Sequence, residues 1–251
     1  MNPYLLEVCV DSTESALEAA AGGADRLELC SNLIIGGTTP SAALFREIRS
    51  MTDIRIHALI RPRFGDFCYT NHEFHIMLEE VKQFAALGAE GIVIGILKPD
   101  GNLDLERMRL LIEAAGDMSV TLHRAFDVCR NPQAALHEAI DLGIRTILTS
   151  GQENSCLSGR ALLDRLVKEA AGRIDILAGA GINASVIRTL AESTGVRSFH
   201  MSGKTVLDSS MVYRRQNVNM GLPSLSEYEI WRTDREEIKK ARRVLDELSS
   251  L

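Results

Sequence analysis

One stretch of the chain joins an apolar strand pattern directly to a cluster of ionisable side chains. In residues 119–131, apolar and polar residues first alternate, which is the period-two pattern of a strand with two unlike faces. His123, Arg124 and Asp127 follow at once. An imidazole, a guanidinium and a carboxylate at this spacing could transfer protons and orient an anionic group. Chemistry of this kind is usually placed at the strand-to-helix junctions of α/β proteins.

The same strand-then-helix pattern recurs along the whole chain. Eight short apolar runs alternate with amphipathic stretches in 251 residues, and several of these stretches end at a glycine suited to a helix C-cap. The alternation predicts an α/β fold, a single-domain (β/α)8 TIM barrel over residues 1–251. A doubly wound open sheet is the alternative, although no glycine-rich dinucleotide fingerprint follows the first strand. The predicted strands are 5–10, 26–30, 55–60, 91–96, 119–123, 145–149, 175–178 and 197–201.

Residues 202–233 interrupt this pattern. They show little apolar periodicity and precede the C-terminal helix, so we predict a long loop here. A connection of that length usually has a function or forms an interface. It could cover the mouth of the barrel or contact a partner subunit.

In such a barrel, alternate strand residues point inward, and those at the carboxyl ends of the strands surround the site. Strand parity assigns an unusually polar set to this interior. Because an isolated charge is costly in an apolar interior, we expect these groups to pair with one another or to hold a ligand. A self-satisfied polar network is the alternative. The predicted inward residues are Glu7, Cys9, Glu28, Cys30, His57, Arg61, Thr121, His123, Thr149, His200 and Ser202.

Glycines and cations in the loops at the same end could bind an anion. Gly179 and Gly181 follow the seventh strand, where many barrels bind phosphate, and their backbone amides could contact an oxyanion. Lys204 follows the eighth strand and would add positive charge. Arg61 could clamp an anion together with Arg63. Tight turns are the alternative interpretation of the glycines.

The composition restricts the location and the partners of the protein. Five cysteines without a CxxC pair are predicted to be free thiols. Cys9 and Cys30, on adjacent strands, could share a soft cation, although buried cysteine is more often a small hydrophobic residue. A net charge of −6 without a basic stripe argues against a nucleic-acid partner. Since neither a leader peptide nor a membrane-length apolar run is visible, we predict a cytoplasmic protein without a membrane partner.

Five sequence motifs stand out: EVCVDS at 7–12, GADRLELC at 23–30, GGTTPS at 36–41, RPR at 61–63 with GDF at 65–67, and HRAFD at 123–127. Together they resemble the CutC copper-homeostasis family, and the likeness extends to residues 148–151, 179–181 and 211–214. The resemblance implies a cytosolic (β/α)8 barrel that forms a homodimer. It also implies that Cys9 and Cys30 bind copper as Cu(I).

Three functions follow from these observations, and the one we predict is a Cu(I)-binding homeostasis protein. The first alternative is an enzyme of the lyase or isomerase class that acts on a small anionic or polyhydroxy metabolite, with or without another divalent metal. Glu28, His123 and Asp127 would be its catalytic groups. The second alternative is a non-catalytic sensor of a small-molecule ligand. The predicted ligand-binding residues are Glu7, Arg61, Arg124, Thr149, Gly179, Gly181, His200 and Ser202.

Overall fold

The chain folds into a closed barrel of eight parallel strands. A computed structural model describes residues 3–222 and 225–250. The strands are β1 (Leu5–Val10), β2 (Arg26–Leu29), β3 (Arg55–Leu59), β4 (Gly91–Ile94), β5 (Ser119–Leu122), β6 (Thr146–Thr149), β7 (Asp175–Ala178) and β8 (Ser198–Met201). The barrel closes where β1 pairs with β8, with Leu5 opposite Ser198. The predicted (β/α)8 fold is confirmed, and every strand lies within two residues of its predicted bounds.

Among the described residues, eight α-helices surround the barrel: α1 (Thr13–Ala21), α2 (Ala42–Met51), α3 (Asn71–Ala86), α4 (Leu105–Ala115), α5 (Pro132–Asp141), α6 (Arg160–Ala170), α7 (Ala184–Thr194) and α8 (Arg235–Ser249). Asn131 caps α5 by accepting two backbone N–H bonds, and Pro132 occupies the first turn. Thr70 and Glu73 form a reciprocal capping box at the start of α3. Among the described residues, no helix combines the length and the apolar character needed to cross a membrane.

The two faces of each strand carry different kinds of residue. On β1, Leu6, Val8 and Val10 are fully buried in the large apolar cluster that joins the strands to the helices. Glu7 and Cys9 alternate with them and therefore face the barrel interior. This alternation concentrates apolar residues between strand and helix and leaves the interior polar.

Residues 202–233, predicted as one long loop, contain two strands. β9 (Lys204–Asp208) and β10 (Glu229–Thr233) form an antiparallel two-stranded ribbon. The backbone N–H of Thr233 donates to the hydroxyl of Ser15 on α1, which ties the ribbon to the barrel. Most side chains of β9 are exposed, so they do not show the apolar alternation by which a strand is recognised in a sequence.

Candidate metal and ligand site at the barrel mouth

The carboxyl ends of the strands open into a cavity of about 1220 Å³. The side chains that line it come from the ends of β1, β2 and β8, from the segments that follow β3 and β5, and from the ribbon, which contributes Lys204 and Trp231. The cavity therefore joins residues that are far apart in the sequence. The predicted site residues that line it are Cys9, Glu28, Arg61, His123, Arg124, Gly181, His200 and Ser202.

Glu7 lies one inward position below Cys9, at the centre of a buried charge network. Its carboxylate accepts a bond of 2.5 Å from Nε of Arg26 and lies 2.8 Å from Nδ1 of His200. The strand register sets these contacts, because Glu7 is paired with Arg26 on β2 and with His200 on β8. Burial alone would raise the pKa of Glu7, but the charges of Arg26 and His200 hold it well below its usual value.

Arg26 also belongs to this network, but it is absent from the predicted inward residues. Strand parity could have identified it. It lies two residues before Glu28 on the same face of β2, and it is 5% exposed. A charged residue at the start of a strand is easily assigned to the solvent-exposed end, and here it is instead the counter-charge of Glu7.

Cys9, Glu28 and His200 each bring one potential metal-ligating atom to within 4.8 Å of the others. Cys9 is opposite Glu28 in the register of β1 and β2. Glu7 contacts Nδ1 of His200 and leaves the other ring nitrogen, Nε2, to face the group. Nε2 lies 3.8 Å from Oε2 of Glu28. A carboxylate that orients a histidine in this way is the usual second shell of a metal site. The group can therefore hold a cation.

The protonation of this group depends on its burial and on its charged neighbours. Burial raises the pKa of Glu28 to about 7, with His200 opposing the shift and Glu7 adding to it. Burial by itself would lower the pKa of His200, but Cys9, Glu28 and Glu7 raise it well above its usual value. The imidazole is therefore held as a cation between two carboxyl groups, and a metal ion would compete with its proton.

Cys30 lies in different surroundings from Cys9. It is fully buried and packs with Leu59 and Val93, and its thiol donates to the carbonyl oxygen of Val10 at 3.5 Å. Burial raises the pKa of Cys30 well above its usual value. The group of three potential ligands forms without Cys30, so its predicted pairing with Cys9 around Cu(I) stays a prediction.

His123 directly follows β5, which lies across the barrel from β1. Its side chain is 4% exposed, and its Nδ1 accepts the backbone N–H of Ala125 at 3.1 Å. The Phe67 ring lies 4.8 Å away, between ring centres. Burial and the charge of Arg61 lower the pKa of His123 to about 3, so the imidazole is neutral near pH 7.

Arg61 follows β3 and holds two loops together. Its guanidinium donates to the carbonyl oxygens of Gly36, Gly37 and Gly65 at 2.9–3.0 Å, and its central carbon lies 5.0 Å from the centre of the Phe67 ring. Arg61 and His123 thus contact the same aromatic ring. Arg63 instead pairs with Asp66 and Glu73 outside the cavity lining.

Asp127 binds the end of β6 and positions Arg124. Its carboxylate accepts bonds from the hydroxyl of Thr149 at 2.5 Å, from the backbone and the hydroxyl of Ser150 and from the backbone of Gln152. Nε of Arg124 donates to it at 2.7 Å. Arg124 is thereby held at the rim of the cavity, while its side chain stays 45% exposed. The structure therefore gives Asp127 a positioning contact with the site.

Thr149 points away from the interior, which differs from the predicted parity. The register pairs Thr121 with Thr146, so Thr146 and Leu148 are the inward residues of β6, and Leu148 lines the cavity. Counting alternation along a strand of four residues is unreliable when its first residue is uncertain by one position.

The glycines after β7 have two different surroundings. A Cβ atom on Gly179 would lie 2.7 Å from the Leu148 side chain, so close packing in the barrel wall requires glycine there. Gly181 lines the cavity with a positive φ of 84°. Lys204 lies at the cavity edge with its ammonium 4.1 Å from the centre of the Trp231 ring. The anion-binding role of these loops stays a prediction.

Fold and site together define a (β/α)8 barrel whose carboxyl-terminal mouth combines a thiol, an imidazole and a carboxylate. The model of the CutC family matches residues 4–205, and the chain belongs to this family, as its motifs predict. Two relatives named family protein CutC are each 43% identical to the chain. The relative from Bacteroides thetaiotaomicron aligns over 253 residues, covering 100% of this chain and 99% of its own. The relative from Vibrio cholerae aligns over 250 residues, covering 99% and 98%.

Solved structures with the same fold include one from Streptococcus agalactiae that is named as a proposed copper homeostasis protein, CutC. It is 30% identical, has a TM-score of 0.76, and the match covers 79% of this chain and 98% of that chain. N-(5'-phosphoribosyl)anthranilate isomerase from Pyrococcus furiosus, at 13% identity and a TM-score of 0.55, covers 97% of this chain and 99% of its own. That distant likeness shows the fold alone.

Proposed function

We propose that this chain is a cytoplasmic copper-homeostasis protein that binds Cu(I) through the thiolate of Cys9 and Nε2 of His200. The observation that carries the proposal is the convergence of Cys9, Glu28 and His200 within 4.8 Å at the cavity. The name of the Streptococcus agalactiae relative supports it. Five cysteines without a disulfide are compatible with a reducing compartment.

The donor set fits a soft cation. Thiolate and imidazole are ligands that Cu(I) accepts, whereas the carboxylate of Glu28 suits a harder ion such as zinc better. Glu7 orients His200 through Nδ1, so Nε2 is the nitrogen available to the ion. Because both donors must lose a proton on binding, Cu(I) affinity should fall as the pH decreases.

An anaerobic Cu(I) titration against a chromophoric chelator tests this ligand set. Cys9→Ser and His200→Gln should each weaken Cu(I) binding by at least about tenfold, which is about 1.4 kcal/mol. Cys156→Ser is the matched control, because Cys156 is also a buried free thiol but does not belong to the group. Wild-type affinity in Cys9→Ser would contradict the proposal.

The same titration decides the predicted role of Cys30. If Cys30 is a ligand, Cys30→Ser should lose affinity as Cys9→Ser does. If Cys9 and His200 suffice, Cys30→Ser should bind as tightly as the Cys156→Ser control. A parallel titration with zinc identifies the metal that the site prefers.

We further propose that two copies of the chain associate through residues 211–220, which lie between the two strands of the ribbon. This segment exposes several apolar side chains, including Val212 at 99%, Met220 at 80% and Tyr213 at 69%. An exposed apolar patch of this kind usually marks an interface. Light scattering should give a dimer for the wild type and a monomer for a Val212→Asp, Met220→Asp variant; a monomeric wild type would contradict the interface.

A second candidate function is an enzyme that acts on a small anionic metabolite, such as a carbonyl or sugar compound. The observation that favours it is the cavity volume of about 1220 Å³ with Arg61 and Arg124 in its wall, because an ion alone needs neither that space nor those cations. The class of reaction would be that of a lyase or an isomerase. Incubation with metabolite pools should show turnover that His123→Ala abolishes, and no turnover of any metabolite would remove this candidate.

A further inference from the structure

Two buried donors on the β3–β5 side of the cavity are left without a partner. Nε2 of His123 and Nε of Arg61 make no hydrogen bond within the described chain. The two side chains are 4% and 8% exposed, and both line the cavity. A buried polar atom without a partner is costly, so a ligand or ordered water is expected beside each of them.

The surroundings of His123 determine which ring nitrogen carries the proton. Nδ1 accepts the N–H of Ala125 at 3.1 Å, so the proton of the neutral imidazole must be on Nε2. Gly95 and Phe67 hold the ring plane: a Cβ atom on Gly95 would lie 2.5 Å from Cε1 of His123, and Phe67 packs on the ring. His123 therefore offers a fixed N–H donor.

Arg61 brings a positive charge that the described residues do not neutralise. Its hydrogen bonds go to three backbone carbonyl oxygens, which carry no net charge. No carboxylate within residues 3–222 and 225–250 forms a salt bridge with it, whereas Arg124 at the rim is paired with Asp127. A buried cation of this kind favours an anion as its counter-charge.

We propose that Arg61 and His123 form an oxyanion subsite that binds the carboxylate or phosphoryl group of a small organic molecule. The subsite is formed at the ends of β3 and β5, whereas Cys9 and His200 belong to β1 and β8, so an anionic ligand and a metal ion would use different strand ends of the cavity. In this arrangement His123 donates a hydrogen bond to the ligand oxygen and keeps its proton, which differs from the proton transfer predicted for it as a catalytic group. The class of ligand, a small anionic metabolite, is taken from the second candidate function, on which the inference rests. Binding at the subsite does not require that the protein turn this ligand over.

Nitrogen-15 NMR of histidine-labelled wild-type protein at pH 7.5 tests the subsite directly. The spectrum should show the His123 proton on Nε2, and addition of inorganic phosphate or of glycolate should shift that Nε2 resonance. The two probes distinguish a phosphoryl group from a carboxylate as the preferred ligand. A proton on Nδ1, or a resonance that neither probe moves, would overturn the proposal.

Variants of His123 test the subsite against a matched control. His123→Gln retains an N–H donor and should bind the preferred probe within about threefold of the wild type, whereas His123→Leu should bind it at least tenfold more weakly. Cys156→Ser is the matched control, because Cys156 is a buried thiol that does not line the cavity, and this variant should bind the probe as the wild type does. Equal binding by His123→Leu and the wild type would refute the subsite. If the protein binds the anion but turns no metabolite over, the enzyme proposal is refuted and the subsite proposal stands.

Discussion

Oε1 of Glu7 lies 2.8 Å from Nδ1 of His200, although the two residues are 193 positions apart in the sequence. Glu7 is on the first strand of the barrel and His200 is on the last, and the two are directly paired in the register that closes it. The orientation of the proposed copper ligand therefore depends on barrel closure. Loss of this contact should disturb both the stability of the fold and the affinity for the metal.

Glu7→Gln should be strongly destabilising. The substitution leaves the Arg26 guanidinium buried without its counter-charge, and breaking a buried ion pair in this way costs about 3–5 kcal/mol. Urea denaturation monitored by circular dichroism measures the change in the free energy of unfolding. Glu18→Gln is the control, because Glu18 pairs with Arg235 at the surface and should lose less than about 1 kcal/mol. Equal losses in the free energy of unfolding would mean that the buried ion pair stabilises the fold no more than the surface pair does.

His57 should make the protein less stable as the pH falls. Burial and the charge of Arg26 lower the pKa of His57 from 6.5 to about 3. Between these two values the unfolded chain binds a proton that the folded chain does not, so His57 favours the folded state above pH 6.5 and this advantage is lost as the pH decreases towards 3. Between these two pKa values, His57 should lower the free energy of unfolding by about 1.4 kcal/mol for each pH unit of acidification.

Comparison with His57→Gln isolates this contribution, because Glu28 and His200 titrate in the opposite sense and are present in both proteins. The free energy of unfolding is measured by urea denaturation at pH 6.0, 5.25 and 4.5. It should fall more steeply with decreasing pH in the wild type than in the variant, by about 1.4 kcal/mol per pH unit. Parallel pH dependences of the two proteins would show that His57 binds its proton equally well in the folded and the unfolded chain, which would contradict the lowered pKa.

Asp127→Asn should destabilise the end of β6. The carboxylate accepts bonds from Thr149, Ser150 and Arg124, and an amide would turn an N–H group towards some of these donors. Unsatisfied buried partners of this kind cost about 1–3 kcal/mol. Thermal unfolding should show the loss, with Asp208→Asn as the control, since Asp208 pairs with Arg214 at the surface. An unchanged melting temperature would contradict the positioning role of Asp127.

Gly95→Ala should displace the His123 ring. The added methyl group would lie 2.5 Å from Cε1 of His123 and 2.9 Å from the side chain of Ala125, so overpacking of about 1–3 kcal/mol is expected. The His123 NMR resonances should shift in the variant. Gly221→Ala is the control, because within residues 3–222 and 225–250 no atom beyond its two chain neighbours lies within 4 Å of the added methyl group. Wild-type stability and spectra in Gly95→Ala would mean that the ring is not confined.

The polar interior could be predicted only in part, because parity depends on where a strand begins. Glu28, His123 and His200 line the cavity as their strand positions indicate. Thr149 does not follow its predicted parity, since the register of β6 makes Thr146 and Leu148 the inward residues. In the ribbon, Trp231 is paired with Val206 on the other strand, and neither residue belongs to a pattern that would indicate pairing.

The sequence by itself determined the barrel and the family. Eight strand-and-helix repeats have few ways to bury their apolar faces, and the motifs from residue 7 to residue 127 are specific. Only the tertiary structure decided that Cys9 lies beside Glu28 and His200. It also decided that Cys30 packs with Leu59 and Val93, and that Asp127 is hydrogen-bonded to the end of β6. The physical reason is that a local pattern sets the face on which a side chain lies, whereas register and barrel closure set the atoms that it meets.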